Sequence, residues 1–286
     1  MSPRVPYRPL PADLDGVEYA HGPDSHRRPE VPAGAAETLE LTGSRIFPGT
    51  RRQVVIHVPD GVRAGEDAAL VVFLDGTWYL DPEGEVRGGI VLDNLTHDGV
   101  IPPTIGVFVD PGTRDAEPGP EAPRQRNVEY DREDDALARF LEQEVLPEVR
   151  ARHRICEDPT RRVVCGGSSG GNAAFTVAWH RPDLFGAAIC FLSSFAQMPG
   201  GNPYPALIPA VPPRPVRYLL QIGHRDLGHD RPQGNWLAEN LRTGAALAEA
   251  GYDLRLVLGD GGHSPNHAGV VLPDALRWAL GVVTGP

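Results

Sequence analysis

The chain has 286 residues, 41% hydrophobic and 23% charged, with a formal net charge of -11. An acidic chain repels phosphate backbones, so nucleic acid is not an expected partner. All 27 basic residues are arginine, and without lysine P-loop nucleotide binding, Schiff-base chemistry and a Ser-Lys dyad are all excluded.

Residues 1–34 are rich in Pro, Asp and Arg and predict an N-terminal arm, extended over the domain or partly disordered. Residues 35–286 read as one domain. The opening stretch Met1-Ser2-Pro3-Arg4-Val5-Pro6 lacks the apolar segment of a signal peptide. No apolar run reaches the roughly 18 residues of a membrane span. The expectation is a soluble, cytoplasmic protein without a membrane partner.

Strands are expected at 38–41 and 53–58, where β-branched residues lie between turn signals. Continuous apolar runs at 70–74 and 104–109 fit parallel strands buried on both faces, and further strands are expected at 162–165, 187–191, 218–222 and 254–258. Helical spacing is found over 134–151, where Leu137, Phe140, Leu141, Val145 and Val149 share a face and Pro147 should kink or shorten the element. Further helices are expected over 169–180, 235–250 and 272–280. Alternating strands and helices define an α/β class with a mostly parallel central sheet and helices on both faces. In such sheets ligands bind at the carboxyl ends of the strands.

Those strand exits hold the candidate chemistry. Gly166-Gly167-Ser168-Ser169-Gly170-Gly171 follows the run 162–165 and opens a helical pattern, the strand–turn–helix elbow that exposes a serine nucleophile. Spacing alone does not separate Ser168 from Ser169, because both have glycines two residues before and two after. The strand ending at Cys165 puts Ser168 at the apex. A serine hydroxyl needs a base, and His263 follows the strand 254–258 in a glycine-rich loop. The orienting carboxylate should lie between them in sequence. Asp226, after the strand 218–222, is the candidate, with Asp230 the alternative; Asp260 is too close to His263 on the same loop. For the oxyanion, the Ser169 amide is one expected donor. The other should come from the loop after strand 70–74, from the Thr77 amide or else the Trp78 amide. Trp78 and Tyr79 are then placed to wall a substrate pocket, or else only to pack the loop.

Other readings compete. His224, Asp226, His229 and Asp230 cluster, as do His263 and His267, but Pro265 disfavours the continuous helical turn that would aim both rings at one metal. Cys156, Cys165 and Cys190 are odd in number and fit no zinc or redox spacing; Cys165 and Cys190 read as small buried core residues. The same triad also serves acyl transfer to an acceptor other than water, and a non-catalytic binding protein of this fold is the remote alternative.

Many ordered segments resemble the esterase D-like family of α/β-hydrolases, especially its enterochelin-esterase-like members. They include Phe47-Pro48-Gly49-Thr50, Phe73-Leu74-Asp75-Gly76, Leu92-Asp93-Asn94-Leu95 and Ile101-Pro102-Pro103. Arg126-Asn127-Val128-Glu129-Tyr130, Leu146-Pro147-Glu148, Gly166 to Gly171, Arg181-Pro182-Asp183-Leu184-Phe185-Gly186 and Gly261-Gly262-His263 continue the match. The resemblance implies a Ser168–Asp226–His263 triad, activity on a small-molecule carboxylic ester, and no metal or organic cofactor. Arg126 and Glu129 match a recurring Arg-x-x-Glu-Tyr segment. They read either as a surface-loop ion pair or, through Arg126, as a contact to a substrate carboxylate or catecholate.

Overall fold

The apolar runs become eight strands of a single sheet. The computed structural model describes residues 14–114 and 125–281. The strands are β1 (Ala35–Leu41), β2 (Arg52–Val58), β3 (Ala69–Leu74), β4 (Thr104–Val109), β5 (Arg162–Gly167), β6 (Ala187–Phe191), β7 (Arg217–Gly223) and β8 (Leu254–Gly259). Each expected strand is present within a few residues of its expected bounds. Their order is β1-β2-β4-β3-β5-β6-β7-β8. The pairs β1/β2 and β2/β4 are antiparallel and all others parallel. Every residue of β3, β4, β5 and β6 is buried, which explains why 70–74 and 104–109 read as unbroken apolar runs rather than alternating ones.

Nine α-helical segments cover the sheet: α1 (Gly76–Leu80), α2 (Gly88–His97), α3 (Gln125–Tyr130), α4 (Ala136–Phe140), α5 (Leu146–Arg150), α6 (Ser169–His180), α7 (Tyr204–Leu207), α8 (Trp236–Glu249) and α9 (Pro265–Leu280), all among the described residues. One buried cluster joins α4, α5, α6 and α8 to one face of the sheet, and a second joins α2 and α9 to the other. The order of strands reverses at β3, which pairs with β4 on one side and β5 on the other. A crevice at the carboxyl ends of such a switch point is where open α/β sheets place their ligands.

Two helices depart from expectation for identifiable reasons. The predicted helix over 134–151 is split into α4, a π-helical turn at Leu141–Val145 and α5. Pro147 has no N–H for the carbonyl four residues back and its ring crowds that carbonyl, so the wider turn absorbs the misfit. The final helix begins at Pro265, not at 272. Proline suits the first helical position, where its missing N–H has no partner to lose.

Residues 14–34 lie across α2 and α9. The Arg27 guanidinium donates to Asp93 Oδ2 at 2.6 Å, and the other oxygen of Asp93 meets His57 Nε2 at 2.7 Å. Asn94 Nδ2 donates to the carbonyls of Asp24 and His26. Burial alone would raise the Asp93 pKa, but hydrogen bonds from His57 and Arg27 hold it below the usual carboxylate range. Asp93 and Asn94 are thus buried polar residues on α2, and they interrupt the apolar stripe by which a helix is recognised.

The Arg-x-x-Glu-Tyr segment also packs unexpectedly. Glu129 pairs not with Arg126 but with Arg52 at the start of β2, through two bonds of 2.7 and 2.9 Å. Both side chains are essentially inaccessible, and the Arg52 guanidinium stacks 4.2 Å from the Phe140 ring centre. Glu129→Ala leaves a buried guanidinium unpaired and is expected to cost about 3–5 kcal/mol. Urea denaturation of the variant checks this; an unchanged midpoint contradicts it.

Among the described residues no helix is long and apolar enough to cross a membrane.

Candidate active site

Ser168 sits between β5 and α6 with φ 59° and ψ -125°. A non-glycine residue there is strained by about 1–3 kcal/mol and persists only if its surroundings enforce it. They do: its N–H donates to the Phe191 carbonyl at 2.9 Å, and its own carbonyl accepts from the amides of Gly171, Asn172 and Ser194. The neighbouring glycines are required by contact. A Cβ on Gly166 would lie 2.3 Å from the Gly170 carbonyl oxygen, and one on Gly171 would lie 2.6 Å from the Phe191 oxygen.

This geometry separates the two serines. Ser168 Oγ lies 3.2 Å from His263 Nε2. Ser169 is buried, and its hydroxyl instead donates to Asp131 Oδ2 at 3.1 Å, a carboxylate that also accepts from Asn127 and Ser194. The Ser169 amide opens α6, where helix geometry provides no intrahelical acceptor, and the positive end of the helix dipole favours an anion.

His263 Nδ1 donates to Asp226 Oδ1 at 2.8 Å, which fixes the neutral ring with Nε2 as acceptor toward Ser168. Asp226 is fully buried after β7 and its Oδ1 also accepts from the Leu227 amide at 2.7 Å. Asp230 does not compete: its side chain is 73% exposed beside Arg231. Asp260 lies 3.7 Å from His224. Trp236, at the start of α8, packs edge-on against the His263 ring with centroids 4.7 Å apart.

The exit of β3 corrects three expectations. The Thr77 amide donates to Asp110 Oδ1 at 2.8 Å, and its hydroxyl bonds the other oxygen of that carboxylate. An N–H held by a carboxylate is not available to an oxyanion, so the assignment to Thr77 fails in this conformation. The Trp78 amide likewise bonds the Asp75 carbonyl, at 3.1 Å. Tyr79 is not a pocket wall. It is 1% exposed, packs on Phe73, and brings only its hydroxyl near Gly167; burial pushes its pKa well up. Arg126 forms no pair with Glu129. Its guanidinium grips Asp75 through bonds of 2.6 and 2.7 Å and reaches the Gly167 carbonyl at 3.2 Å, so it ties the β3 exit to the elbow rather than presenting its fork to a ligand. Burial outweighs this pairing at Asp75 and raises its pKa. Trp78 alone of the three aromatic and cationic candidates meets solvent broadly, at 43% exposure. It lines a cleft of about 620 Å³ together with Thr77, Leu80, Pro82, Asp110 and Pro111, a volume suited to a small organic ligand. Asp75, also on its wall, connects the cleft to the elbow through Arg126.

The residues considered for a metal are turned apart. His263 Nδ1 faces Asp226, whereas His267 Nδ1 accepts from Gln221 at 2.9 Å and its ring stacks on Tyr19. Among the described residues no three His, Cys, Asp or Glu side chains form a group that would hold a metal ion.

Sequence reasoning missed Trp236, Asp75 and Asp131. The Asp75-Gly76 pair after a buried strand was a usable signal, since strand exits carry ligand-site residues. Nothing local marked the other two.

A mostly parallel sheet of this order, with a strained serine between β5 and α6 and a histidine after β8, is the α/β-hydrolase fold. The chain belongs to the Putative esterase family, whose model matches residues 44–249. It is 26% identical over 243 residues to the Iron(III) salmochelin esterase of Escherichia coli O6:H1, covering 78% of this chain and 53% of that protein. The crystal structure of enterochelin esterase from Shigella flexneri matches with a TM-score of 0.72 at 22% identity, over 90% of this chain and 60% of that one. A ferulic acid esterase from Anaeromyces mucronatus matches with a TM-score of 0.68 at 16% identity, over 89% and 93% of the two chains. The chain therefore spans about half the length of the salmochelin esterase and about three-fifths of the enterochelin esterase.

Proposed function

We propose that the protein is a serine carboxylic-ester hydrolase acting on a small-molecule ester or lactone through an acyl-enzyme intermediate. The observation that carries this reading is the continuous chain from Ser168 Oγ to His263 Nε2 (3.2 Å) and from His263 Nδ1 to Asp226 Oδ1 (2.8 Å). In the scheme, Nε2 takes the Ser168 proton as Oγ bonds to the ester carbonyl carbon, and the carbonyl π pair moves onto oxygen. The Ser169 amide donates to that oxyanion. Collapse breaks the bond to the alkoxide, which leaves with the proton from Nε2. Water, deprotonated by Nε2, then attacks the acyl carbon and releases the acid, restoring the Ser168 hydroxyl. Asp226 holds the imidazole orientation and stabilises the imidazolium in both halves. Trp78 offers a flat apolar face to the substrate at the cleft wall.

Covalent labelling tests the assignment. A fluorophosphonate probe is expected to stop hydrolysis of p-nitrophenyl acetate in proportion to its incorporation, with the label on the peptide at Ser168. Label on Ser169, or full hydrolysis by labelled protein, overturns it.

A further inference from the structure

The loop that carries His263 has little stiffness of its own. The last residue of β8 and the stretch leading to α9 run Gly259-Asp260-Gly261-Gly262-His263-Ser264. Three of these six residues are glycine, and Gly261 has φ +76°, a conformation that glycine adopts without strain. An imidazole that must meet both Ser168 and Asp226 needs its backbone held to within about 0.5 Å. The exit of β7 supplies part of the missing rigidity, the His224 and Arg225 amides donating to the Gly259 and Gly261 carbonyls at 2.9 and 3.1 Å, and a segment some 240 residues earlier supplies the rest. The Tyr19 hydroxyl oxygen accepts from the Asp260 amide at 2.6 Å. The Tyr19 ring lies flat on His267, with centroids 4.1 Å apart and planes 8° off parallel. The Tyr19 backbone is clasped by Asn266, its N–H donating to Oδ1 at 2.7 Å and its carbonyl accepting from Nδ2 at 3.1 Å. Four residues earlier, the Asp15 carbonyl accepts from the Gly262 amide at 2.9 Å. The N-terminal segment thus adds one anchor on each side of Gly261. Gly261 lets that segment come close, since a Cβ there would meet the Val17 side chain at 3.2 Å.

We infer that Tyr19 is a positioning residue for His263: its hydroxyl and ring clamp the 259–264 loop and the start of α9, fixing the imidazole on the line from Asp226 to Ser168. The inference rests on the hydrolase reading above. His267 is suited to this packing because burial lowers its pKa, so a neutral ring is what stacks on Tyr19 near neutral pH.

Two variants of the full chain separate the contributions. Tyr19→Phe keeps the ring stack and loses the oxygen that accepts from Asp260. Tyr19→Ala loses both. With p-nitrophenyl acetate, kcat is expected to fall several-fold in the first and about a hundredfold in the second, the scale of a displacement near 1 Å. KM should stay within about twofold of the parent, because the clamp touches no residue of the cleft. The rate of fluorophosphonate labelling should fall in step with kcat. Arg28→Ala, which breaks the pair with Asp98 farther along the same segment, should leave kcat unchanged. The inference is overturned if Tyr19→Phe keeps full kcat, if KM rises while kcat holds, or if kcat falls only in proportion to the folded fraction measured by circular dichroism. Those outcomes, with Ser168→Ala inactive, leave the hydrolase reading standing. Activity retained by Ser168→Ala is the separate result that removes it.

Discussion

Ser168→Ala is expected to lower kcat by about three to six orders of magnitude with KM little changed, the scale found when a serine hydrolase loses its nucleophile. The Ser168 hydroxyl is the group that meets His263 Nε2, and no second hydroxyl takes its place, because Ser169 Oγ is held by Asp131 on the buried side of α6. The fold should tolerate the change. The strained φ of 59° is enforced by backbone bonds to Phe191, Gly171, Asn172 and Ser194, none of which uses the serine side chain. A thermal midpoint within a few degrees of the parent is therefore expected alongside the loss of turnover. Ser169→Ala makes the comparison sharp. It removes one of three donors to Asp131 but keeps the amide proposed for the oxyanion, so it should reduce kcat by no more than about tenfold. Steady-state kinetics on p-nitrophenyl acetate distinguish the two: a severe loss in Ser169→Ala with activity retained in Ser168→Ala would reverse the assignment.

The difference between what the sequence disclosed and what it hid follows the range of the interactions. Strands such as Leu70–Leu74 and Thr104–Val109 were legible because burial on both faces writes a local, unbroken apolar run. Ser168, Asp226 and His263 could be proposed as a set because each lies within a few residues of a strand exit, and strand order brings those exits to one end of the sheet. Helices α1, α2 and α3 were not legible. α1 and α3 have only five and six residues, too few for a periodic stripe, and α2 buries Asp93 and Asn94 against residues 24–34. The roles around β3 depended on pairings that no local pattern encodes. Thr77 finds Asp110 across 33 residues, Arg126 finds Asp75 across 51, and Glu129 finds Arg52 across 77. Arg126 and Glu129 stood out only through the resemblance of their segment, and each pairs with a distant residue rather than with its neighbour. The clamp by Tyr19 lies at the far end of this scale, since its contacts to Asp260 and Asn266 span more than 240 residues.

Asp226→Asn tests the other end of the relay, and stability and activity should part company there. The expected loss in kcat is about 10⁴-fold, for a reason of proton placement rather than shape. With aspartate, Oδ1 accepts from the Leu227 amide and from His263 Nδ1–H, leaving Nε2 unprotonated to receive the Ser168 proton. An asparagine with its oxygen on the Leu227 amide would turn its NH₂ away from Nδ1, whereas the flipped rotamer offers an N–H to Nδ1 and drives the ring proton to Nε2. The first removes the charge that stabilises the imidazolium, and the second removes the base. Folding should suffer little. Asp226 is inaccessible to solvent, and burying a carboxylate carries a desolvation cost. Replacing that charge by a neutral amide removes part of the desolvation penalty, and the thermal midpoint is expected to hold or rise as kcat collapses. Asp230→Asn, at an exposed side chain beside Arg231, should change neither quantity. Kinetics and thermal melts on the two variants decide the point: Asp226→Asn keeping a tenth or more of the parent kcat, or losing activity only as it unfolds, would remove Asp226 from the relay.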